Sequence, residues 1–234
     1  MLKIDKVHKS YGSHTVLKGI DLEFEREEIS AFLGPNGAGK TTTFNIISGV
    51  EAPDGGSIYL DTEDISELPV HLRARRGITY LTQASSLFRG LTVKENIEIY
   101  LEGTDSSEVR KHQPQPLERL NVSSLSGRQV TNLSAGQRRK VEIARALVLS
   151  PVYLLLDEPF SDLDPRSVSE IKDVLVSLKR EEDIGVVISD HRADEALSIA
   201  DYNYLLNEGI IIAEGTSAEI VESEAAKEAY FVEK

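Results

Sequence analysis

The pattern of apolar and polar positions places strands near both ends of the chain and helices in its middle. Leu2 and Ile4 alternate with polar neighbours, as do Ile20, Leu22 and Phe24, which is the period of a half-buried strand. Ile29-Ser30-Ala31-Phe32-Leu33 is apolar on both faces and predicts a central parallel strand. A glycine-rich turn follows it, then a helix from Thr41 to Ser48 closed by Gly49. Pro53-Asp54-Gly55-Gly56 predicts a turn, Ile58–Leu60 a short strand, Pro69–Arg76 a helix and Ile78–Leu81 another strand.

Beyond that strand the period changes. Thr92-Val93-Lys94-Glu95 is a capping box, and Val93, Ile97, Tyr100 and Leu101 share one apolar helix face. Polar residues with Pro114 and Pro116 follow, and a helical pattern then runs from Ser134 to about Leu149. Val152–Leu156 predicts a second fully buried strand. Asp164-Pro165 offers an N-cap with proline at the first helical position, and Ile171, Val174, Leu175 and Leu178 mark that helix's buried stripe. Val186–Ile188 predicts a strand, and Tyr202–Leu206 with Ile210–Ala213 a hairpin about Asn207-Glu208-Gly209. The expectation is one α/β domain over residues 1–234, its core lobe formed by about 1–83 and 146–234 and a helical insertion by about 84–145.

Composition narrows the function classes. With 234 residues and 40% of them hydrophobic, the chain has enough apolar material for a sizeable core. Its net charge of −13 opposes a phosphate backbone, so nucleic acid is not an expected partner. Without cysteine there is no thiolate chemistry. No apolar run approaches the roughly 20 residues that span a bilayer, and Met1–Asp5 lacks the apolar core of a signal peptide. The expected location is therefore the cytoplasm, with any membrane work done by docking to a protein that spans it.

Three segments carry chemistry. Gly34-Pro35-Asn36-Gly37-Ala38-Gly39-Lys40-Thr41 fits the phosphate-binding loop between a strand and a helix. Its backbone N–H groups and the helix dipole would hold phosphates, Lys40 would reach the β- and γ-phosphates, and Thr41 would ligate Mg²⁺. The strand Val152–Leu156 then delivers two carboxylates to the end of a sheet: Asp157 suits a Mg²⁺ shell, and Glu158 suits a proton acceptor for attacking water. The third segment, Leu133-Ser134-Ala135-Gly136-Gln137, leads directly into a helix. It reads either as a second phosphate site built on free N–H groups or as an ordinary Ser-x-x-Gln capping box.

In this order, with Gln83 after a strand, Ser161-Asp162-Leu163-Asp164 and finally His191, the motifs resemble those of ABC-type ATPases over nearly the whole chain. The resemblance implies a RecA-like core sheet with an N-terminal antiparallel β subdomain and an inserted α-helical subdomain. It implies ATP held by Gly34, Pro35, Asn36, Gly37, Ala38, Gly39, Lys40, Thr41 and Thr42, with Tyr11 stacked on adenine. Ser134, Gly136 and Gln137 would grip the γ-phosphate bound by the other subunit of an ATP-bound homodimer, and Asp164 would cross that interface. Glu158, Gln83 and His191 would be catalytic, and Thr41, Gln83 and Asp157 would hold Mg²⁺.

The stretch Leu68–Ile78, together with Ser86–Arg89, Val141–Leu147 and Leu155–Phe160, further resembles the lipopolysaccharide-export branch of the family. That branch implies two transmembrane permease subunits meeting the chain near Gln83, Phe88 and Arg89, at the cytoplasmic face of the inner membrane. The general layout is also close to ATPases of branched-chain amino-acid importers. A soluble, non-transport ABC ATPase would usually carry two ATPase units or a long coiled-coil insertion, and a GTPase an Asn-Lys-x-Asp motif; this chain has none of these. Four features depart from the family pattern: Ala135 in place of the first signature glycine, Thr82 where proline usually precedes the glutamine, a shorter helical insertion and a shorter tail after Ala229. Competing plain readings are packing aromatics for Tyr11 and Phe88, a capping or surface residue for His191, and a solvated charged face for Arg73-Ala74-Arg75-Arg76.

Overall fold

A computed structural model describes residues 1–102 and 116–229; Pro114 and the stretch 230–234 lie outside them. The alternating N-terminal segments become β1 (Leu2–Tyr11) and β2 (His14–Phe24), an antiparallel pair whose inward positions Leu2, Ile4, Leu17, Ile20, Leu22 and Phe24 are buried. The chain returns to this sheet as β4 (Gly55–Leu60) and β5 (Glu63–Asp64), giving the order β2-β1-β4-β5. Gly55 and Gly56, expected in a turn, are the first residues of β4 instead. A Cβ on Gly56 would lie 2.3 Å from the Lys6 carbonyl oxygen, so glycine lets β4 close against the bulge in β1.

The second sheet is mostly parallel. It contains β3 (Ile29–Leu33), β6 (Ile78–Leu81), β7 (Tyr153–Asp157), β8 (Gly185–Asp190), β9 (Tyr202–Asn207) and β10 (Ile210–Gly215), in the order β10-β9-β3-β8-β7-β6. Only β10 runs antiparallel, as the hairpin partner of β9. All five residues of β3 and of β7 are buried, as their two-sided apolar pattern requires. One face packs Phe32, Tyr153, Leu155, Val187 and Leu206 toward the antiparallel sheet and α1 (Lys40–Ser48); the other packs Ala31, Leu33, Leu154, Leu156, Val186 and Ile188 under the remaining helices. At roughly 2 kcal/mol for each large side chain fully removed from water, these two cores are the main stabilising term.

Among the described residues of 84–145 the elements are helical. They are α3 (Val93–Glu102), α4 (Pro116–Arg119), two single 3₁₀ turns at Ser123–Leu125 and Val130–Asn132, and most of α5 (Ala135–Leu147). The Thr92 capping box is formed, with the Glu95 carboxylate accepting from the Thr92 backbone N–H at 2.7 Å. Helix α5 stops at Leu147, two residues before its predicted end. After β7 come α6 (Pro165–Glu182), capped by Asp164 as predicted, and three short helices: α7 (Ala193–Leu197), α8 (Ser217–Glu222) and α9 (Glu224–Ala229).

Helix α2 (Val70–Arg75) corrects the reading of Arg73–Arg76 as one charged face. Arg73 is 1% exposed. Its guanidinium donates to the carbonyls of Ile46 and Ile47 at 2.6 and 2.9 Å, and to those of Ser66 and Leu68 at 2.6 and 2.8 Å. At the end of α1 the Ile46 carbonyl accepts the capping N–H of Gly49 at 3.2 Å, and Arg73 adds a charged donor to it and to the Ile47 carbonyl. Arg76 does face outward and makes a forked pair with Glu63.

Candidate active site

The strand order decides which loops meet. Because β3, β8, β7 and β6 are parallel neighbours, their carboxyl ends lie side by side, and the segments leaving them carry Gly34–Lys40, His191, Glu158 and Gln83. Each functional segment therefore emerges at the same edge, although Gln83 and His191 are far apart in sequence.

The loop after β3 turns tightly over Leu206. Gly34 has φ 152°, and a Cβ there would stand 2.2 Å from the Leu206 carbonyl oxygen, so only glycine fits. Lys40 reaches back across the loop, its ammonium donating to the carbonyls of Gly34 at 2.6 Å and Pro35 at 3.0 Å. Burial lowers the Lys40 pKa, while the nearby carboxylates of Glu158, Asp157 and Asp190 oppose that shift. Thr41 Oγ1 donates to Asp157 Oδ2 at 2.9 Å, joining the loop to the end of β7. Asp157 is buried and also accepts from Tyr80 at 3.2 Å and from Ser189.

Glu158 is the focus of the next layer. Its carboxylate oxygen Oε2 accepts from Gln83 Nε2 at 2.7 Å and Ser161 Oγ at 2.9 Å, and stands 3.3 Å from His191 Nδ1. Of the three residues expected to be catalytic, Gln83 and His191 thus both meet the same oxygen of Glu158. Glu158 adopts φ +47°, a left-handed conformation that costs a non-glycine residue about 1–2 kcal/mol. It is held there because its own N–H donates to Ser189 O at 2.7 Å. Asp190 is fully buried, accepting from the N–H groups of Arg192 at 2.7 Å and Phe160 at 3.3 Å; burial raises its carboxyl pKa.

Tyr11 is 47% exposed, which leaves ring surface open to a base. Its hydroxyl donates to Glu51 at 2.5 Å, and the Lys9 ammonium stands 5.5 Å from the ring centroid. At the other end of the site, Ser134 and Gln137 form the complete capping box of α5. Gly136 packs against α6, where a Cβ would meet Ser167 Oγ at 2.3 Å. Asp164 caps α6, accepting from the backbone N–H groups of Arg166 and Ser167 and from the Ser167 hydroxyl. The capping-box reading of Leu133–Gln137 is formed; within the segment Leu133 and Gly136 are buried, Ala135 and Gln137 half-buried, and Ser134 exposed, so the phosphate-site reading stays open at Ser134. A cleft of about 190 Å³ separates Ala135 and Arg138 from Gln83, Glu158 and Asp162.

Sequence reasoning missed two groups. The guanidinium of Arg139, on α5, contacts the backbone beside both Gln83 and Glu158. A second cavity of about 370 Å³ lies between the lobes, lined among others by Val50, Val70, Tyr80, Ser86, Tyr100 and Arg145. Arg145 is buried, donates to Ser86 O at 2.8 Å and stacks 4.6 Å from the Tyr100 centroid. Of the named lining residues, Val70, Ser86 and Arg145 belong to segments that carry the branch resemblance, and Tyr100 to the apolar face of α3. Phe88 is 47% exposed, which sets aside the core-aromatic reading.

A phosphate loop joined to a buried aspartate, with a glutamate, glutamine and histidine gathered one residue further on, defines a phosphate-loop nucleoside triphosphatase with an inserted helical lobe. The chain belongs to the ABC transporter family, whose profile matches residues 17–161, and it is an ATP-hydrolysing cassette coupled to transport. It is 43% identical over 237 residues to the lipopolysaccharide export system ATP-binding protein LptB of Haemophilus influenzae, spanning 100% of this chain and 98% of that protein. Among solved structures it resembles an ATP-binding cassette of an ABC transporter in its ADP conformation, with a TM-score of 0.89, 29% identity and coverage of 100% and 99%. It also resembles a dimeric post-hydrolysis cassette bound to ADP and phosphate, with a TM-score of 0.80, 28% identity and coverage of 93% and 99%.

Proposed function

We propose that this chain is the motor subunit of a lipopolysaccharide export system, acting as a homodimer at the cytoplasmic face of the inner membrane. The full-length 43% identity to the Haemophilus influenzae protein supports the choice of cargo. The convergence of Gln83, Ser161 and His191 on one oxygen of Glu158 supports the assignment of chemistry.

Each ATP lies on Gly34–Thr42 of one subunit, with adenine on Tyr11, and is covered by Ser134–Gln137 of the other. Lys40 exchanges its two carbonyl partners for phosphate oxygens. Thr41 Oγ1 and Asp157 Oδ2, 2.9 Å apart, are hard oxygen donors of the kind Mg²⁺ takes, and Gln83 completes the set implied by the motifs. A Mg²⁺ held by these residues would offset the charge of the phosphates. Glu158 orients the attacking water and accepts its proton, while Gln83 and His191 fix the carboxylate. The γ-phosphate is the ligand shared between subunits, so its cleavage releases the dimer, and Asp164 lies at the seam. The cavity beside Tyr100 and Arg145 receives a permease segment, with Phe88 and Arg89 exposed just beyond Ser86.

The test is a pull-down of the tagged full chain from detergent-solubilised membranes of its host, with a known transporter recovered in parallel. Two distinct permeases with lipopolysaccharide-handling proteins are expected. Recovery of importer permeases with a substrate-binding protein would replace the export reading.

A further inference from the structure

The segment that grips the partner's nucleotide is wired, through one side chain, to the hydrolytic pair of its own chain. Arg139 lies one turn after Gly136 on α5 and is 7% exposed. Its Nη2 donates to the backbone carbonyl of Asp157 at 2.9 Å, and its Nη1 to the backbone carbonyl of Thr82 at 3.3 Å. Asp157 immediately precedes Glu158, and Thr82 immediately precedes Gln83, whose amide meets Glu158 at 2.7 Å. One planar guanidinium therefore spans the two backbone positions from which the Gln83–Glu158 hydrogen bond is built.

We propose that Arg139 is a positioning residue: it sets the distance between Gln83 and Glu158 and couples that distance to the position of the signature helix. This rests on the assignment of Gln83 and Glu158 to hydrolysis. The chemistry requires arginine. Two carbonyls in different directions and a carboxylate must be met at once, and a lysine ammonium lacks the rigid fork that does so. The carboxylate is Glu142, one turn further along α5, whose Oε2 accepts from Arg139 Nη1 at 3.1 Å. Glu142 is buried and its Oε1 has no hydrogen-bond partner among the described residues; Arg139 is its ion-pair partner, and the buried Arg145 one turn further along α5 adds a longer-range charge interaction. The N-terminus of α5 is fixed laterally by the close contact of Gly136 with Ser167. A shift of the helix relative to β6 and β7 is transmitted through the guanidinium to the two carbonyls, and so to the hydrolytic pair.

Four full-length variants and the parent separate this role from simple ion-pair stability, each measured for kcat, KM, ATP affinity by calorimetry and Tm. Arg139→Met is expected to lower kcat about tenfold or more with ATP affinity within about twofold of the parent, and Arg139→Lys to recover part of kcat. Arg139→Met/Glu142→Leu removes both charges and is expected to regain part of the lost Tm, though Arg145 also loses a neighbouring carboxylate, without regaining kcat, since the carbonyls stay unbridged. Glu142→Gln, which keeps the bridge, is expected to turn over near the parent rate. The proposal is overturned if the double variant regains kcat together with Tm, if Glu142→Gln loses as much as Arg139→Met, or if Arg139→Met turns over within twofold of the parent. A Glu158→Gln control that keeps normal turnover brings down the underlying assignment, whatever the Arg139 variants do.

Discussion

At the scale of single residues, Glu158 does two things that pull against each other. It occupies a left-handed backbone conformation unfavourable to any side chain with a Cβ, and its carboxylate collects Gln83, Ser161 and His191. Replacement by glutamine keeps size and backbone while removing the carboxylate proposed to accept the proton. Glu158→Gln is expected to slow hydrolysis by about 10²- to 10⁴-fold, with ATP affinity nearly unchanged and an ATP-dependent dimer accumulating. Phosphate release, calorimetry and light scattering on one preparation check all three parts, and near-parent turnover would remove Glu158 from the proton-accepting role. Tyr11 makes a contrasting case, because the contact proposed for it is with the base and not with the reacting phosphate. Tyr11→Ala is expected to weaken ATP binding by roughly tenfold, the size of one lost aromatic contact, and to leave kcat at saturation within about twofold. A fall in kcat with unchanged affinity would instead place Tyr11 in the catalytic step.

At the scale of elements, the buried arginines show what holds neighbouring elements in register. Arg73 ties the carboxyl end of α1 to the loop before α2 through four carbonyls. Arg73→Ala leaves those acceptors without a charged donor and is expected to cost about 3 kcal/mol, or roughly 8 °C in Tm. Turnover per folded molecule should hold, so a variant with parental Tm and lost ATPase would contradict a structural role. Arg73 also marks where sequence reading stops. A guanidinium directed at backbone carbonyls leaves no trace in residue pattern, since any residue supplies a carbonyl; Arg73 and Arg139 therefore read as ordinary helix charges. The elements that were legible had contiguous signals: alternation in β1 and β2, two-sided apolar runs in β3 and β7, caps at Thr92, Ser134 and Asp164. The short helices α7, α8 and α9 had too few turns to establish a period. In the site, the phosphate loop, Asp157 and Glu158 could be read from local chemistry alone. Gln83, His191 and Tyr11 needed the resemblance, because a lone residue of each type has a plainer use.

At the scale of the whole molecule, charge sets the response to acid. The chain carries 13 more acidic than basic residues, and several of its surface carboxylates are held by cations. The pKa of Asp61 is lowered by the N-terminal ammonium and Arg26, that of Glu63 by Arg76, that of Glu170 by Lys140 and Arg166, and that of Glu195 by Lys172 and Arg192. Their folded pKa values lie below the unfolded carboxylate values of about 4, so the unfolded chain binds more protons in that range. The stabilisation they give is complete above the unfolded values and is lost as pH falls through the folded ones. Asp190 has the opposite sign: burial raises its pKa, so its contribution is complete in acid and is lost as pH rises through the folded value. The depressed acids outnumber it but are exposed, and each surface pair contributes little. The expected outcome is a Tm that changes slowly between pH 6 and pH 8 and falls below about pH 4, with the acid fall shallower in 0.5 M salt, where screening weakens the pairs in both arms. Thermal melts across pH at two salt concentrations measure this. A Tm that held or rose on acidification would mean that relief of the molecule's net negative repulsion outweighs every one of these pairs.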